Sequence, residues 1–227
     1  MVLVQERDLK IFKWLLEMNY SSLEMLGRLF FADGDSWKKD AVRNRMYQLR
    51  SHGWLESVVG LDIDRTTHFA ATLKAWHAVQ NSAHQGFLPR PRGVHLRTLT
   101  HDLAVAWCRI FLRDQIQHWK GERVLKAEIA AHDSDLSRHY VPDAILVDHH
   151  WVKWAFELEN TQKSERRYRD KIYKYLTLMD KAHPPFDRVV FVLHGPAKYW
   201  SLKRAAQNFS RRIIITDYQE IKNGFRL

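Results

Sequence analysis

A short polar segment rich in proline and glycine divides this 227-residue chain. Residues 81–97 contain two prolines and two glycines, residue types that interrupt both helices and strands. Before this segment apolar residues recur at helical spacing, whereas after it some segments alternate between apolar and polar residues. We therefore predict two domains, at residues 1–80 and 98–227, joined by a linker at residues 81–97.

The first 80 residues show the pattern of a winged helix-turn-helix domain. Three helical segments come first, and the third ends before Gly53, a residue type that commonly terminates helices. Two strands, Trp54–Val59 and Thr66–Ala70, flank the polar turn Gly60–Asp64, and Thr72–Val79 forms a closing helix. Three helices followed by a two-stranded wing predict a DNA-binding domain whose third helix enters the major groove.

The third helix presents cationic and hydrogen-bonding side chains beside its apolar edge. At about 100° per residue, Lys39, Arg43 and Arg50 share one face, and Asn44 and Tyr47 lie next to them. Arginine reads guanine, asparagine reads adenine, and lysine and tyrosine more often hold phosphates. We therefore predict that these five residues contact DNA, with a solvated amphipathic helix as the alternative.

The net charge favours a polyanionic partner. With 36 Lys and Arg against 26 Asp and Glu, the formal charge is +10 and the pI is near 9.7. Such a chain attracts nucleic acid, although a merely basic solvated surface is the alternative.

The single cysteine excludes a disulfide framework and a Cys-based zinc site. No segment approaches the ~20 apolar residues of a membrane span, and the N-terminus does not resemble a secretory signal. We expect a cytoplasmic protein with no membrane partner.

The residues after the linker predict an α+β or α/β domain with a mixed sheet. The order αβββαβ comes from a helix at Leu99–Arg113, strands at Val124–Ala130, Tyr140–Val147 and Trp151–Glu159, a basic helix at Ser164–Lys181 and a strand at Arg188–Leu193. A further helix and strand follow, at Lys198–Phe209 and Arg212–Thr216. Alternating helices and strands of this kind are typical of sheets that are covered by helices.

Two glutamates interrupt the apolar character of the third of these strands. Because side chains alternate along a strand, Glu157 and Glu159 lie on one face, about 7 Å apart, and Phe156 and Leu158 lie on the other. Asp143 lies on the partner strand across a short hairpin. Three carboxylates there predict a site for a hard divalent ion, Mg²⁺ or Mn²⁺, which prefers oxygen ligands. Exposed acids at a sheet edge are the alternative.

Three motifs around these acids are recognisable. Val-Pro-Asp-Ala at residues 141–144 and Phe-Glu-Leu-Glu at 156–159 resemble the core of the PD-(D/E)XK nucleases. With the N-terminal winged helix and the basic, tyrosine-rich segment 168–175, the chain resembles the replication-relaxation family, which contains mobilisation relaxases of the MobC class. The resemblance implies a restriction-endonuclease-like second domain.

The resemblance also implies catalytic roles. Asp143 and Glu157 would bind the metal ion, which activates a water molecule and stabilises charge on the attacked phosphate. The usual third residue of the motif is lysine, but here it is Glu159, as in the relaxase branch. Lys171 lies beside the apolar stripe of the basic helix and is our candidate for the positive charge that the motif lysine would supply. An ordinary phosphate contact or a solvated position is the alternative for Lys171. We also expect Glu128 to add a carboxylate to the metal site.

The resemblance further implies an enzyme that nicks one strand of DNA. Arg166 and Arg167 on the basic helix are expected to contact backbone phosphates. The predicted function is metal-dependent cleavage of one strand of double-stranded DNA at a plasmid origin of transfer. An accessory mobilisation or coupling protein is a candidate partner, and both a monomer and a homodimer remain open. The alternative is a non-catalytic plasmid replication initiator or regulator with a degenerate nuclease core, which Glu159 in place of lysine favours.

Overall fold

A computed structural model of the chain divides into two units, Met1–Ile110 and Phe111–Leu227. The structure describes residues 3–33, 36–59, 67–82, 87–91, 96–131, 141–195 and 199–227. Within these ranges, no helix has the length and apolar character needed to span a membrane.

The first unit combines helices with a small antiparallel sheet. Its elements are α1 (Glu6–Met18), β1 (Ser21–Ser22), α2 (Leu23–Phe30), β2 (Ala32–Asp33), β3 (Ser36–Trp37), α3 (Lys39–Ser51), β4 (Leu55–Val59), β5 (Thr67–Ala71), α4 (Leu73–Gln80) and most of α5 (Leu96–Leu112). The sheet has the strand order β1-β5-β4, and β2 pairs with β3. The predicted three helices, strand pair and closing helix are confirmed. The turn predicted at Gly60–Asp64 lies outside the described residues.

Caps and a buried apolar stripe explain these helices. The hydroxyls of Ser22 and Thr72 accept hydrogen bonds from backbone N–H groups three residues later, at 3.2 and 3.5 Å. Such caps satisfy donors that have no partner inside a helix. On α3, the side chains of Val42, Met46 and Leu49 are fully buried, and the helix therefore exposes the opposite, polar face.

A buried ion pair joins α1 to α3. The Asp8 carboxylate is fully buried and accepts hydrogen bonds from Arg45 Nε at 3.0 Å and from the Gln5 backbone N–H at 2.7 Å. A second guanidinium nitrogen of Arg45 contacts Asp8 Oδ2, and it also donates to the Leu3 carbonyl at 2.8 Å. Since a buried carboxylate is costly without partners, this pair fixes the position of α1 against α3.

The second unit is built on a mixed five-stranded sheet. Its elements are β6 (Ile116–Gly121), α6 (Glu122–Ala131), β7 (Ala144–Asp148), β8 (Lys153–Glu159), α7 (Glu165–Met179), β9 (Arg188–Leu193), α8 (Trp200–Ala206), a 3-10 turn (Gln207–Phe209), β10 (Ile213–Asp217) and α9 (Tyr218–Lys222). The strand order is β10-β9-β8-β7-β6. Strands β6, β7 and β8 are antiparallel, whereas β8, β9 and β10 are parallel. The predicted mixed sheet is confirmed.

The helices α7 and α8 cover one face of this sheet. The apolar core between them includes Ala155, Tyr168, Ile172, Phe191 and Leu202. Because side chains alternate along β8, the residues two and four positions after Ala155 face the same helices. These residues are Glu157 and Glu159, so the fold places two carboxylates inside this layer.

The strand predicted at Val124–Ala130 is wrong. These residues belong to α6, and the strand lies upstream as β6. Lysine, leucine, alanine and glutamate are strong helix formers, and Lys126 pairs with Glu122 one helical turn away. The order αβββαβ therefore contains an additional helix between its first two strands.

The boundary between the two units falls between Ile110 and Phe111, after the end of the predicted linker. Residues 83–86 and 92–95 of the predicted linker at 81–97 lie outside the described residues, and α5 begins at Leu96. In the first unit, Leu99 of α5 packs in a buried cluster with Tyr20, and Arg109 donates to Glu17 at 2.7 Å. These contacts group most of α5 with the N-terminal residues, whereas the sequence pattern placed this helix in the second domain.

We expect Arg45→Met to lower the free energy of unfolding by about 3 kcal/mol, since it leaves the Asp8 carboxylate buried without its cation. Urea denaturation followed by circular dichroism measures this change. Arg43→Met on the same helix is the matched control, because Arg43 is exposed and its ion pair with Asp40, at 3.2 Å, lies on the surface. We expect the control to change stability by less than about 0.5 kcal/mol. Equal losses of stability in the two variants would contradict the stabilising role of the Asp8–Arg45 ion pair.

Candidate functional site

The site is built on β8, the central strand of the second unit. Glu157 and Glu159 are each only 2% exposed. In register, Glu157 lies beside Phe191 and Glu159 beside Leu193 of β9. The predicted alternation is therefore confirmed, and the alternative of exposed acids at a sheet edge is wrong.

Lys171 of α7 lies between the two glutamates. Its Nζ donates to Glu157 Oε2 at 2.6 Å and to Glu159 Oε1 at 2.7 Å. The lysine side chain is itself only 8% exposed. The structure thus brings three of the predicted site residues together, and the ammonium group of Lys171 lies beside the two glutamates.

Two further side chains complete the hydrogen bonds of the glutamates. The hydroxyl of Tyr175, one turn after Lys171 on α7, donates to Glu157 Oε1. Lys163, in the segment between β8 and α7, donates to Glu159 Oε2 at 2.6 Å. The sequence predicts neither role, because a tyrosine at the spacing of buried helix positions indicates a packing residue, and Lys163 precedes α7 and so has no helical spacing that relates it to Glu159.

Asp143 lies at the start of β7, next to the same cluster. Ala144 pairs with Phe156 in the antiparallel register, so continuing that register by one residue places Asp143 opposite Glu157. Asp143 Oδ2 accepts a hydrogen bond from the Leu158 backbone N–H at 2.8 Å. The hairpin therefore holds this carboxylate beside the buried pair.

Burial dominates the electrostatics of Glu157. The pKa of this carboxyl is raised from 4.5 to about 7, mainly by burial; the positive charge of Lys171 limits the rise, and the negative charge of Asp143 adds to it. A carboxylate that shares a buried space with another carboxylate attracts a cation or a proton. Lys171 is the cation that the fold supplies.

A cationic groove lies on the outer side of Lys171. It encloses about 280 Å³ and is lined by Lys163, Arg167, Asp170, Lys171 and Lys174. Arg166 lies beside it on α7 and is exposed. The positive side chains of this groove are suited to an anionic ligand such as a phosphate.

Glu128 is placed differently from the other predicted acids. It lies on α6, and its carboxylate accepts a hydrogen bond from Lys120 of β6 at 2.8 Å. Its ion-pair partner is therefore Lys120 of β6. The described residues contain no group of three or more His, Cys, Asp and Glu side chains that could hold a metal ion.

Five of the residues predicted to contact DNA lie on the outer face of α3 in the first unit. Lys39, Arg43, Asn44, Tyr47 and Arg50 are all exposed. The Arg50 guanidinium lies over the Tyr47 ring, 5.0 Å from its centroid, and donates to Ser57 Oγ on β4 at 3.1 Å. One edge of α3 is therefore ordered by contacts with the neighbouring strand.

A comparison with models of known protein families gives a match. The model of the family described as replication-relaxation matches residues 12–189, well over half of the chain, and covers α3, β8 and α7. The chain belongs to the replication-relaxation family. Searches of curated proteins and of solved structures gave no match.

Membership of the replication-relaxation family points to a role in plasmid replication or mobilisation. The match includes the exposed face of α3 and the whole Asp143, Glu157, Glu159 and Lys171 cluster. It ends within β9. The two features that sequence reasoning selected thus both lie in the part of the chain that defines the family.

We expect Lys171→Met to lower the free energy of unfolding by about 3 kcal/mol or more, because two buried glutamates lose their shared cation. Chemical denaturation at neutral pH measures the loss. Lys174→Met, which removes an exposed lysine from the same helix, is the control and should cost less than about 0.5 kcal/mol. If Lys171→Met were as stable as Lys174→Met, the ion-pair cluster would not hold α7 on the sheet.

Proposed function

We propose that this replication-relaxation protein is a metal-dependent DNA endonuclease that nicks one strand at a plasmid origin of transfer. The observation that carries the proposal is the buried Glu157, which Asp143 and Lys171 approach from two different elements. Structural carboxylates are seldom buried beside a second carboxylate. Active sites are where such perturbed groups concentrate.

Asp143 and Glu157 are the residues that would hold a divalent ion. Mg²⁺ commonly binds through one or two protein carboxylates and retains several water ligands, so a larger cluster of acids is not required. The repulsion between these two carboxyl groups favours a cation beside them. When bound, the ion would activate a water molecule and stabilise charge on the attacked phosphate.

The remaining residues of the cluster would orient these ligands and the DNA. Lys171 holds Glu157 and Glu159 through hydrogen bonds of 2.6 and 2.7 Å, and it reaches the floor of the cationic groove. There its ammonium group would contact a phosphate oxygen and would supply the positive charge of the lysine that Glu159 replaces in the motif. Arg166 and Arg167 would bind neighbouring phosphates of the same strand.

The first unit would bind duplex DNA as a winged helix-turn-helix. Its order of three helices and a strand pair, with α3 exposing Lys39, Arg43 and Asn44, supports this assignment. The formal charge of +10 favours association with DNA in either unit. We therefore assign sequence selection to α3 and cleavage to the acidic cluster of the second unit, in a MobC-class relaxase with a restriction-endonuclease-like core.

One observation favours a second candidate function. Lys171, Lys163 and Tyr175 occupy all four carboxylate oxygens of Glu157 and Glu159. Such a saturated cluster could serve stability alone, and the chain would then be a non-catalytic plasmid replication initiator or regulator. The two functions differ in their response to metal, because a regulator binds DNA without cutting it.

Cleavage of supercoiled plasmid tests the proposed activity. We expect the wild-type protein with Mn²⁺ to convert a plasmid carrying its native neighbourhood into open circles, as measured on agarose gels. Glu157→Gln should reduce the rate about 10²-fold or more, the scale on which losing one electrostatic stabiliser slows an enzyme. It removes the metal-binding charge but preserves the size of the side chain.

Glu122→Gln is the matched control for this experiment. Glu122 lies on α6, is partly exposed and pairs with Lys126, so its loss should leave the rate unchanged. Binding of the same plasmid by both variants, measured by gel shift, shows whether they remain folded. Binding without metal-dependent nicking by the wild-type protein would favour the regulator instead.

Salt dependence tests the assignment of α3. We expect Lys39→Ala to weaken binding of duplex DNA and to lower the slope of log K against log salt by about 0.9, the contribution of one phosphate contact. Fluorescence anisotropy at several salt concentrations measures the slope. Lys10→Ala, which removes an exposed lysine from α1, should leave it unchanged. Identical slopes for wild type and Lys39→Ala would exclude this phosphate contact.

A further inference from the structure

A second cavity opens in the second unit, at the carboxyl ends of the parallel strands β9 and β10. It encloses about 650 Å³, and its lining includes Leu193, His194, Trp200, Lys203, Tyr218 and Gln219. This volume lies within the roughly 300–1,000 Å³ range of small-ligand sites. Ligands of open α/β sheets commonly bind at this edge. The cavity residues all follow residue 189, so they lie beyond the family match.

Two residues that line this cavity donate hydrogen bonds to β8, the strand that carries Glu157 and Glu159. The Tyr199 hydroxyl donates to the Glu159 carbonyl at 2.9 Å, and the His194 backbone N–H donates to the same oxygen at 3.0 Å. The side chain of Glu159 is held by Lys171 and Lys163. A ligand in the cavity therefore lies next to the residue that ends the acidic cluster.

The chemistry of the lining is aromatic and cationic. Trp200 is 63% exposed, and the rings of His194 and Tyr218 pack edge-to-face with centroids 4.7 Å apart. Lys203 adds an exposed positive charge. Among the described residues that line the cavity, the single carboxylate is that of Asp217, which accepts a hydrogen bond from the Glu220 backbone N–H at 2.8 Å and caps α9. Aromatic faces beside a cation are the features that hold unstacked bases and their phosphates.

We propose that this cavity binds an unstacked base of single-stranded DNA adjacent to the phosphate at the acidic cluster. The inference deepens the proposed function and rests on it for the identity of the nucleic acid. Trp200 provides the stacking surface, and Lys203 contacts the phosphate of the bound nucleotide. Local strand separation next to the cleaved bond follows from this geometry, because a paired base cannot enter the cavity.

Binding of a labelled oligothymidylate in EDTA tests the proposal without cleavage. The probe is about eight nucleotides long, within the site size of known single-strand binders. We expect Trp200→Ala in the full chain to raise the dissociation constant about fivefold or more, the effect of losing one stacked base. Trp200→Phe should retain most of the affinity, since phenylalanine also stacks. Fluorescence anisotropy measures all three proteins.

Trp151→Ala is the matched control. Trp151 is 68% exposed and lies in the turn between β7 and β8 of the same unit, so its loss should leave oligothymidylate binding unchanged. Binding of a long duplex should be the same for wild type and Trp200→Ala. Equal affinity of Trp200→Ala and wild type for the oligonucleotide overturns the proposal. The proposal is also overturned if Trp151→Ala weakens oligothymidylate binding as much as Trp200→Ala does. The same holds if Trp200→Ala weakens binding of duplex DNA as much as binding of the oligonucleotide.

A second variant keeps the test independent of Trp200. Lys203→Gln should lower the salt slope of oligothymidylate binding by about 0.7, the value for one phosphate of a single strand. An unchanged slope overturns the phosphate contact. Since these assays need neither metal nor cleavage, a wild-type protein that never nicks plasmid overturns the proposed activity alone. Failure of the binding assays in a protein that nicks overturns the cavity alone.

Discussion

The bridge that Lys171 makes between Glu157 and Glu159 is the interaction on which the second unit depends. Two carboxylates on a central strand, beneath a layer of helices, carry a large desolvation cost unless a cation lies between them. Lys171 provides that cation from α7 and is itself nearly buried. The electrostatic requirement therefore fixes which face of α7 contacts the sheet, in addition to the apolar contacts of Tyr168 and Ile172.

The same bridge connects stability with chemistry. Burial and the neighbouring Asp143 raise the pKa of Glu157, while Lys171 lowers it, so the charge of this carboxyl depends on which cation lies beside it. A site of this kind can be balanced by an internal lysine or by a bound divalent ion together with that lysine. This balance distinguishes the proposed nuclease from the proposed regulator, since only the nuclease requires the second cation.

The proposed function assigns the two units different physical means of binding DNA. On α3 the candidate contacts are exposed side chains on a helix that a buried stripe of Val42, Met46 and Leu49 holds in place. In the second unit the basic side chains surround a buried acidic cluster, and the cavity at the carboxyl edge of β9 and β10 adds aromatic surface beside it. An exposed helix face suits duplex DNA, whereas a groove next to aromatic rings suits a separated strand.

The sequence by itself determined the elements whose local pattern is strong. Helical spacing predicted α3 and α7, and alternation predicted β8 with Glu157 and Glu159 on one face, because these periods follow directly from backbone geometry. Where a short apolar run fits both helix and strand, as at Val124–Ala130, the pattern was ambiguous and the helix propensity of α6 decided the outcome. Only the tertiary structure decided that the glutamates are buried, that Tyr175 and Lys163 complete their hydrogen bonds, and that Glu128 pairs with Lys120 instead. The physical reason is that burial and ion pairing depend on strand order and helix packing, which bring together residues far apart in the chain.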